Sequence, residues 1–251
     1  MEGQSLNTPS VAIVLPTYCE AENIERLIRE IQGLGLNPII VVIDDSSPDE
    51  TARTVEKLRK EYENVLLFVR PSKLGLGTAI TDGFQTILAM KKQPNYIVTM
   101  DADYSHDPQD IPKLIRVAQG KCDLVIGSRY CYGGKIVGWP LARWLISRLA
   151  NLIASLVIGM RVHDCTSGLR CYSRQYVETV LPDLHSQTYE IQIETVKQAR
   201  LQGFGVKEVP ITFVNRKRGK SKLTMTEIKC FVFYILRSKV VGRRVRGTAP
   251  K

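Results

Sequence analysis

"YIVTMDADYSHDP", residues 96–108, opens as an apolar run rich in β-branched residues and closes on two aspartates one residue apart. A short apolar run that ends in polar turn formers is the pattern of a buried strand. Four further runs share it: VAIVLP (11–16), IIVVID (39–44), VLLFVR (65–70) and CDLVIG (122–127). Between them EAENIERLIREIQ (20–32), DETARTVEKLRKEY (49–62), GTAITDGFQTILAM (77–90) and PQDIPKLIRVAQ (108–119) read as helices. Strands that alternate with helices build parallel βαβ units covered on both faces. Residues 10–130 are therefore predicted to form a doubly wound, Rossmann-like, mostly parallel α/β sheet. A chain of 251 residues suits one sizeable domain and an appendage, divided here into an extension (1–9), a domain (10–222) and a basic C-terminal segment (223–251).

Ligands of such sheets bind beyond the carboxyl ends of the strands. Three strand ends carry notable chemistry: Pro16 to Glu20, Asp44 to Ser47, and Asp101 to Asp103. They are expected on one rim. In an extended segment Asp101 and Asp103 project to the same side and Ala102 turns away. Two close carboxylates repel, and a hard divalent cation offsets that repulsion. Mg²⁺ or Mn²⁺ takes one or two protein carboxylates and completes its octahedron with water and phosphate oxygens, which is the equipment for a nucleotide diphosphate. An isolated Asp-x-Asp suits a solvated turn as well, and His106 alone reads as a surface or capping histidine. Glu190 and Glu194 can equally be surface charges.

The net charge of +10 is localised. Residues 1–215 hold 23 Lys and Arg against 24 Asp and Glu, whereas residues 216–251 hold 12 against one. A near-neutral body with a basic tail suits a polyanion, either nucleic acid or an anionic membrane surface. The N-terminus MEGQSLNTPS has no apolar stretch of a secretory signal, and a cytosolic setting is expected. Six cysteines without a CxxC pair point to reduced thiols rather than a zinc site. Two phosphate motifs fail on inspection. In GLGTAI (75–80) Ile80 stands where a dinucleotide fingerprint needs its third glycine, and ahead of GKS (219–221) Val214 stands where a P-loop needs its first.

Residues 139–158, WPLARWLISRLANLIASLVI, form a strongly apolar helical stretch with Pro140 near its first turn. Arg143, Ser147, Arg148 and Asn151 interrupt it, against a bilayer span of about 20 predominantly apolar residues. Arg143, Ser147 and Asn151 recur every four residues and make one polar stripe beside Trp144, Leu145, Leu149, Leu152 and Leu156. This is the pattern of a helix lying in a membrane interface; a buried amphipathic helix is the competing reading. TEIKCFVFYILRSKVVGRRVR (226–246) has a similar apolar centre with basic flanks and is expected on the membrane too.

The order P-T-Y-x-E, D-D-S-S-P-D, K-L-G-L-G-T-A, M-D-A-D-x-S-H and G-S-R-Y resembles the family 2 glycosyltransferases of GT-A fold. With GWPLARWLISRLANL, DCTSGLRCY and EVPITFVNRKRGKSKL it resembles the dolichol- and polyprenyl-phosphate mannosyltransferases, over residues 11 to about 235. The resemblance implies a nucleoside pocket of Pro16, Tyr18, Glu20, Ile43 and Asp45. It implies that Asp101, Ala102 and Asp103 meet the nucleotide diphosphate, and that Asp101, Asp103 and, more weakly, Ser105 hold Mg²⁺ or Mn²⁺. Arg129, Arg143 and Ser147 would receive the lipid phosphate. Arg216 and Lys222 would lie in a mobile basic loop that closes over the diphosphate, and Asp103, Arg129, Arg216 and Lys222 would be the catalytic set.

The activity so implied is inverting transfer of mannose from GDP-mannose to dolichyl or polyprenyl phosphate by a peripheral protein at the cytosolic membrane face. A small membrane-anchoring subunit is a further expected partner. A relative that transfers glucose from UDP-glucose to the same lipid shares nearly every motif and stays open. A nucleic-acid-binding protein explains the basic tail but leaves the paired aspartates and the 139–158 stripe without a role, so nucleic acid is not an expected partner.

Overall fold

The computed structural model describes residues 10–215 and 233–235. All five predicted strands are present: β1 (Val11–Thr17), β2 (Ile39–Asp44), β3 (Val65–Val69), β4 (Tyr96–Thr99) and β5 (Leu124–Ser128). The intervening helices are α1 (Ile24–Gln32), α2 (Thr51–Glu61), α3 (Leu76–Leu88) and α4 (Ile111–Gln119). There follow β6 (Lys135–Val137), α5 (Leu141–Ile158), β7 (Arg170–Ser173), α6 (Arg174–Val180), α7 (Ile191–Gln202), β8 (Val206–Pro210) and β9 (Thr212–Val214).

The main sheet has the order β3-β2-β1-β4-β7-β5-β8, and β6 pairs with β9 in a small ribbon. Every pairing is parallel except those of β7, which runs against both β4 and β5. The sheet therefore extends beyond the predicted 10–130 and recruits two strands from the C-terminal half. Alternation along the central strands divides the core in two. Val11, Ile13 and Leu15 of β1 pack with α1, α2 and α4 on one face. Ala12 and Val14 pack with α3, α6 and α7 on the other.

Two consequences position the site. The winding reverses between β1 and β4, so the crevice at the switch point lies between the ends of those strands. Because β7 is antiparallel, the loop that precedes it (164–169) reaches the same rim as the loops that follow its neighbours. Five cysteines among the described residues are free thiols; burial pushes the Cys165 thiol up to about 12.

Candidate active site

The predicted rim exists. The amide of Cys19, after β1, donates to Ser47 Oγ after β2 (2.9 Å), and Asp45 N donates to Thr17 O (3.0 Å). Asp44 is fully buried and accepts from Thr17 Oγ1, Ser47 N and Ser47 Oγ, which locks the turn. Asp45 is not an open carboxylate. It pairs with buried Arg70 and accepts from Gly75 N (3.0 Å), tying the 70–75 loop to the end of β2. A ribose or base contact at Asp45 has to share its lone pairs with these donors. Ile43 is 1 % exposed and belongs to the core, so its backbone is what it can offer a nucleoside. Pro16 and Tyr18 are half-buried, with Lys73 Nζ 4.2 Å from the centre of the Tyr18 ring, while Glu20 is buried and accepts from Asn23 Nδ2.

The strand reading of Asp101 and Asp103 needs correction. β4 ends at Thr99, and residues 102–106 turn, with Tyr104 at φ 60°. Simple alternation therefore does not place the carboxylates; specific contacts do. Asp103 Oδ1 accepts from Ser105 N (3.0 Å) and Ser105 Oγ (2.5 Å). Ser105, expected as a metal ligand, is thus buried behind Asp103 and orients it. Ala102 is buried in the core. Asp101 lies against Gly168, where a Cβ would come within 2.6 and 2.7 Å of its two carboxylate oxygens. His106 is no surface residue: it is 1 % exposed, its Nε2 lies 3.5 Å from Asp101 Oδ2, and among the described residues neither ring nitrogen has a hydrogen-bond partner.

A line of aromatic rings and cations runs from this carboxylate to α5. His106 meets Phe213 edge-on at 5.1 Å, and Phe213 lies 5.3 Å from both the Arg129 guanidinium and the Trp139 ring. Arg143 stacks on the other side of the chain of contacts, 4.2 Å from the Trp139 ring, and donates to Asn215 Oδ1 (3.2 Å). Arg129 is buried and held bidentately by fully buried Asp164, with Nη2 also on Thr166 Oγ1 (2.7 Å). Burial opposes both charges. Their mutual attraction outweighs it, raising the Arg129 pKa and lowering that of Asp164. Ser147 and Asn151 sit on the protein-facing side of α5, where Asn151 Nδ2 donates to Ser147 O and Thr166 Oγ1.

This arrangement can be set beside known proteins. Residues 12–181 match the profile described as Glycosyl transferase family 2. The chain belongs to that family. A polyprenol monophosphomannose synthase of Mycolicibacterium smegmatis is 35% identical over 244 residues, covering 96% of this chain and 91% of its own. An undecaprenyl-phosphate mannosyltransferase of Micrococcus luteus is 35% identical over 216 residues, covering 85% and 87%. Among solved structures, glucosyl-3-phosphoglycerate synthase from Mycobacterium tuberculosis, in complex with Mn²⁺, UDP and glucosyl-3-phosphoglycerate, superposes with TM-score 0.64 at 18% identity. That match covers 92% of this chain and 78% of the other. The glycosyltransferase therefore has the GT-A fold.

The donor set of the family 2 glycosyltransferase fits a divalent ion that shares its shell with phosphate. Among the described residues no three His, Cys, Asp or Glu side chains cluster into an all-protein cage. Asp101, packed against Gly168, and Asp103, held by Ser105, offer two carboxylates, the number that Mg²⁺ usually takes from a protein when a diphosphate shares its shell. Arg216, Lys222 and the predicted helix 226–246, apart from helical residues 233–235, lie outside the described residues.

Sequence reasoning missed the loop that supports the site. Asp164, Thr166 and Gly168 all stand in DCTSG, and Arg170 behind them is fully buried. Its guanidinium donates to Ser167 O, Cys165 O, Gln192 O and Thr195 Oγ1, bolting the loop to α7. An arginine opening an apolar strand was the available signal. Glu190 and Glu194, readable as surface charges, are buried instead and hold the backbone of the 185–188 loop. Glu190 accepts from Gln187 N and Thr188 N, and Glu194 from His185 N and Ser186 N.

Proposed function

We propose that this glycosyltransferase moves mannose, with inversion, from GDP-mannose to dolichyl or polyprenyl phosphate at the cytosolic face of a membrane. The observation that carries the proposal is the unbroken line from Asp101 through His106 and Phe213 to Arg129, Trp139 and Arg143. In this reading a metal-bound diphosphate lies near Arg129, which follows β5, and Arg143 of α5, a helix whose apolar face is exposed. The names of the 35% identical relatives support mannose as the sugar and a polyprenyl phosphate as the lipid class.

In this reading Asp101 and Asp103 would hold Mg²⁺ or Mn²⁺, which when bound neutralises the leaving diphosphate. Ser105 and Gly168 fix the two carboxylates, Asp103 through hydrogen bonds and Asp101 through close packing. Pro16, Tyr18, Glu20, Asp45 and the Ile43 and Ala102 backbones frame the nucleotide. Arg143 and Ser147, with Arg129 behind them, receive the acceptor phosphate, for which the planar guanidinium is suited. A phosphate monoester has its second pKa at about 6 and is largely dianionic near neutrality, so its oxygen attacks the anomeric carbon without a protein base. Arg216 and Lys222 add positive charge at the diphosphate. β9 runs alongside the 102–106 turn, where Val214 N donates to Ser105 O.

α5 supports the membrane setting. Leu141, Ile146 and Leu156 are 71 %, 67 % and 71 % exposed, whereas polar Asn151 is buried, the reverse of a soluble surface helix. By length and composition α5 is apolar enough to cross a membrane. Its Arg143, Ser147 and Asn151 stripe faces the protein, which favours lying at the interface.

The test is to incubate purified protein with Mn²⁺ or Mg²⁺, a polyprenyl phosphate and either labelled GDP-mannose or UDP-glucose. Mannosyl lipid and GDP are expected. Transfer from UDP-glucose alone, or failure to label any lipid phosphate, overturns the assignment.

A further inference from the structure

A left-handed residue in a turn is ordinarily glycine, asparagine or aspartate, because a larger side chain crowds the backbone there. The turn after β4 places a tyrosine in that conformation: Tyr104, at φ 60°, stands between Asp103 and Ser105. A bulky residue in this region is strained and persists only where its surroundings hold it. Here α1 supplies the hold. The Arg26 guanidinium lies 4.6 Å from the centre of the Tyr104 ring and is itself paired with Glu30 one turn further on (2.8 Å). The ring is half-buried and packs on the core cluster shared by β1, α1, α2 and α4. We propose that Tyr104 is a positioning residue of the metal site: clamped from α1 by Arg26, its ring holds the 102–106 turn in the conformation that aims Asp103. The clamp rests on the metal reading just given.

The turn transmits the clamp directly to the carboxylate. Ser105 N and Oγ both donate to Asp103 Oδ1 (3.0 and 2.5 Å), so a rotation of the peptide between residues 104 and 105 turns that carboxylate with it. Beyond Ser105 the chain is fastened by backbone and cap: Val214 N donates to Ser105 O (3.0 Å), and the Asp107 side chain accepts from Gln109 N (2.9 Å). α1 has a second attachment to the donor side. It starts from Glu20, whose carbonyl oxygen accepts from Asn23 N and Ile24 N (2.9 Å each). One rigid element thus meets the proposed nucleoside frame through Glu20 and the metal turn through Arg26. Arg26 is exposed and Tyr104 half-buried, so either can be changed without opening the core.

Tyr104→Asn separates the ring from the backbone, since asparagine accepts the left-handed region unaided, and Tyr104→Phe keeps the ring. Full-length protein is titrated with Mn²⁺ in the presence of GDP and followed by electron paramagnetic resonance. Metal-free protein is followed by amide hydrogen exchange over residues 102–107, which reads local opening of the turn. Tyr104→Asn is expected to weaken Mn²⁺ binding at least tenfold and to speed exchange at least tenfold, with a melting temperature within a few degrees of wild type. Tyr104→Phe should stay within twofold of wild type in both readouts. Arg26→Met, a change on the exposed face of α1, should fall between them.

Wild-type Mn²⁺ affinity in both Tyr104→Asn and Arg26→Met overturns the clamp and leaves the metal reading standing. Faster exchange with undiminished Mn²⁺ affinity reduces Tyr104 to a packing residue and also overturns it. Wild-type protein that shows no saturable Mn²⁺ binding beyond that of GDP alone removes the metal reading, and the positioning role with it.

Discussion

Gly168 shows how little room the site leaves at single residues. A methyl group there would stand 2.6 Å from Asp101 Oδ2, well inside contact distance, so the carboxylate must turn away. Gly168→Ala is expected to lower kcat at least 100-fold and to weaken Mn²⁺ binding, measured by titration with electron paramagnetic resonance, while the melting temperature stays within a few degrees. Unchanged Mn²⁺ affinity would remove Asp101 from the metal site. Asp164 acts differently, because its partner Arg129 is buried with it. Asp164→Asn leaves an uncompensated buried cation and is expected to cost about 3–5 kcal/mol. The Asp164 carboxyl is held below its ordinary value of 3.8 in the fold, so its contribution is complete above about pH 4 and is lost as pH falls through the folded value. Denaturant titrations should give a constant gap between wild type and Asp164→Asn from pH 5 to 8 that narrows below pH 4. Asp101 and Asp103 were legible because they close an apolar run. Asp164 and Gly168 were not, since their roles depend on contacts with Arg129 and Asp101, 35 and 67 positions away.

Among the elements, α5 was legible as an amphipathic helix because its polar residues recur every fourth position, and the structure turns that stripe inward. With Leu145, Leu149, Leu152 and Leu156 more than half exposed, charges on this face cost the fold little and the proposed membrane contact a great deal. Leu149→Glu with Leu156→Glu should abolish co-sedimentation with anionic vesicles at an unchanged melting temperature; a matched fall in both would place the face in a core. β7 was illegible for the opposite reason. It is four residues long, opens on Arg170 and gains its strand character from β4 and β5 on either side. No local pattern announces a strand inserted antiparallel between two parallel ones, although the four βα units and β5 were plain from periodicity. The loop-holding roles of Glu190 and Glu194 were hidden similarly, because their loop is defined by packing against α3, where Gly77 N donates to Gln187 O.

At the scale of the whole molecule the proposed donor and acceptor halves come from different parts of the chain and meet at one ring. Phe213 contacts His106, which adjoins Asp101, and also Arg129 and Trp139 on the acceptor side. Each half has its own supports: Ser105 and Gly168 for the carboxylates, Asp164 and Asn215 for the arginines. Removing the ring should therefore leave each half able to bind while loosening the angle and distance between them. A misplacement of about 1 Å between reacting groups can cost 100-fold in rate. Phe213→Ala is thus expected to lower kcat 10- to 100-fold with donor and acceptor KM values within about threefold of wild type, and Phe213→Tyr to recover most of the rate. A rise in one KM with kcat preserved would assign Phe213 to a single half. Loss of rate that tracks loss of folded protein, without rescue by tyrosine, would reduce it to a packing residue and leave the two halves without a demonstrated link.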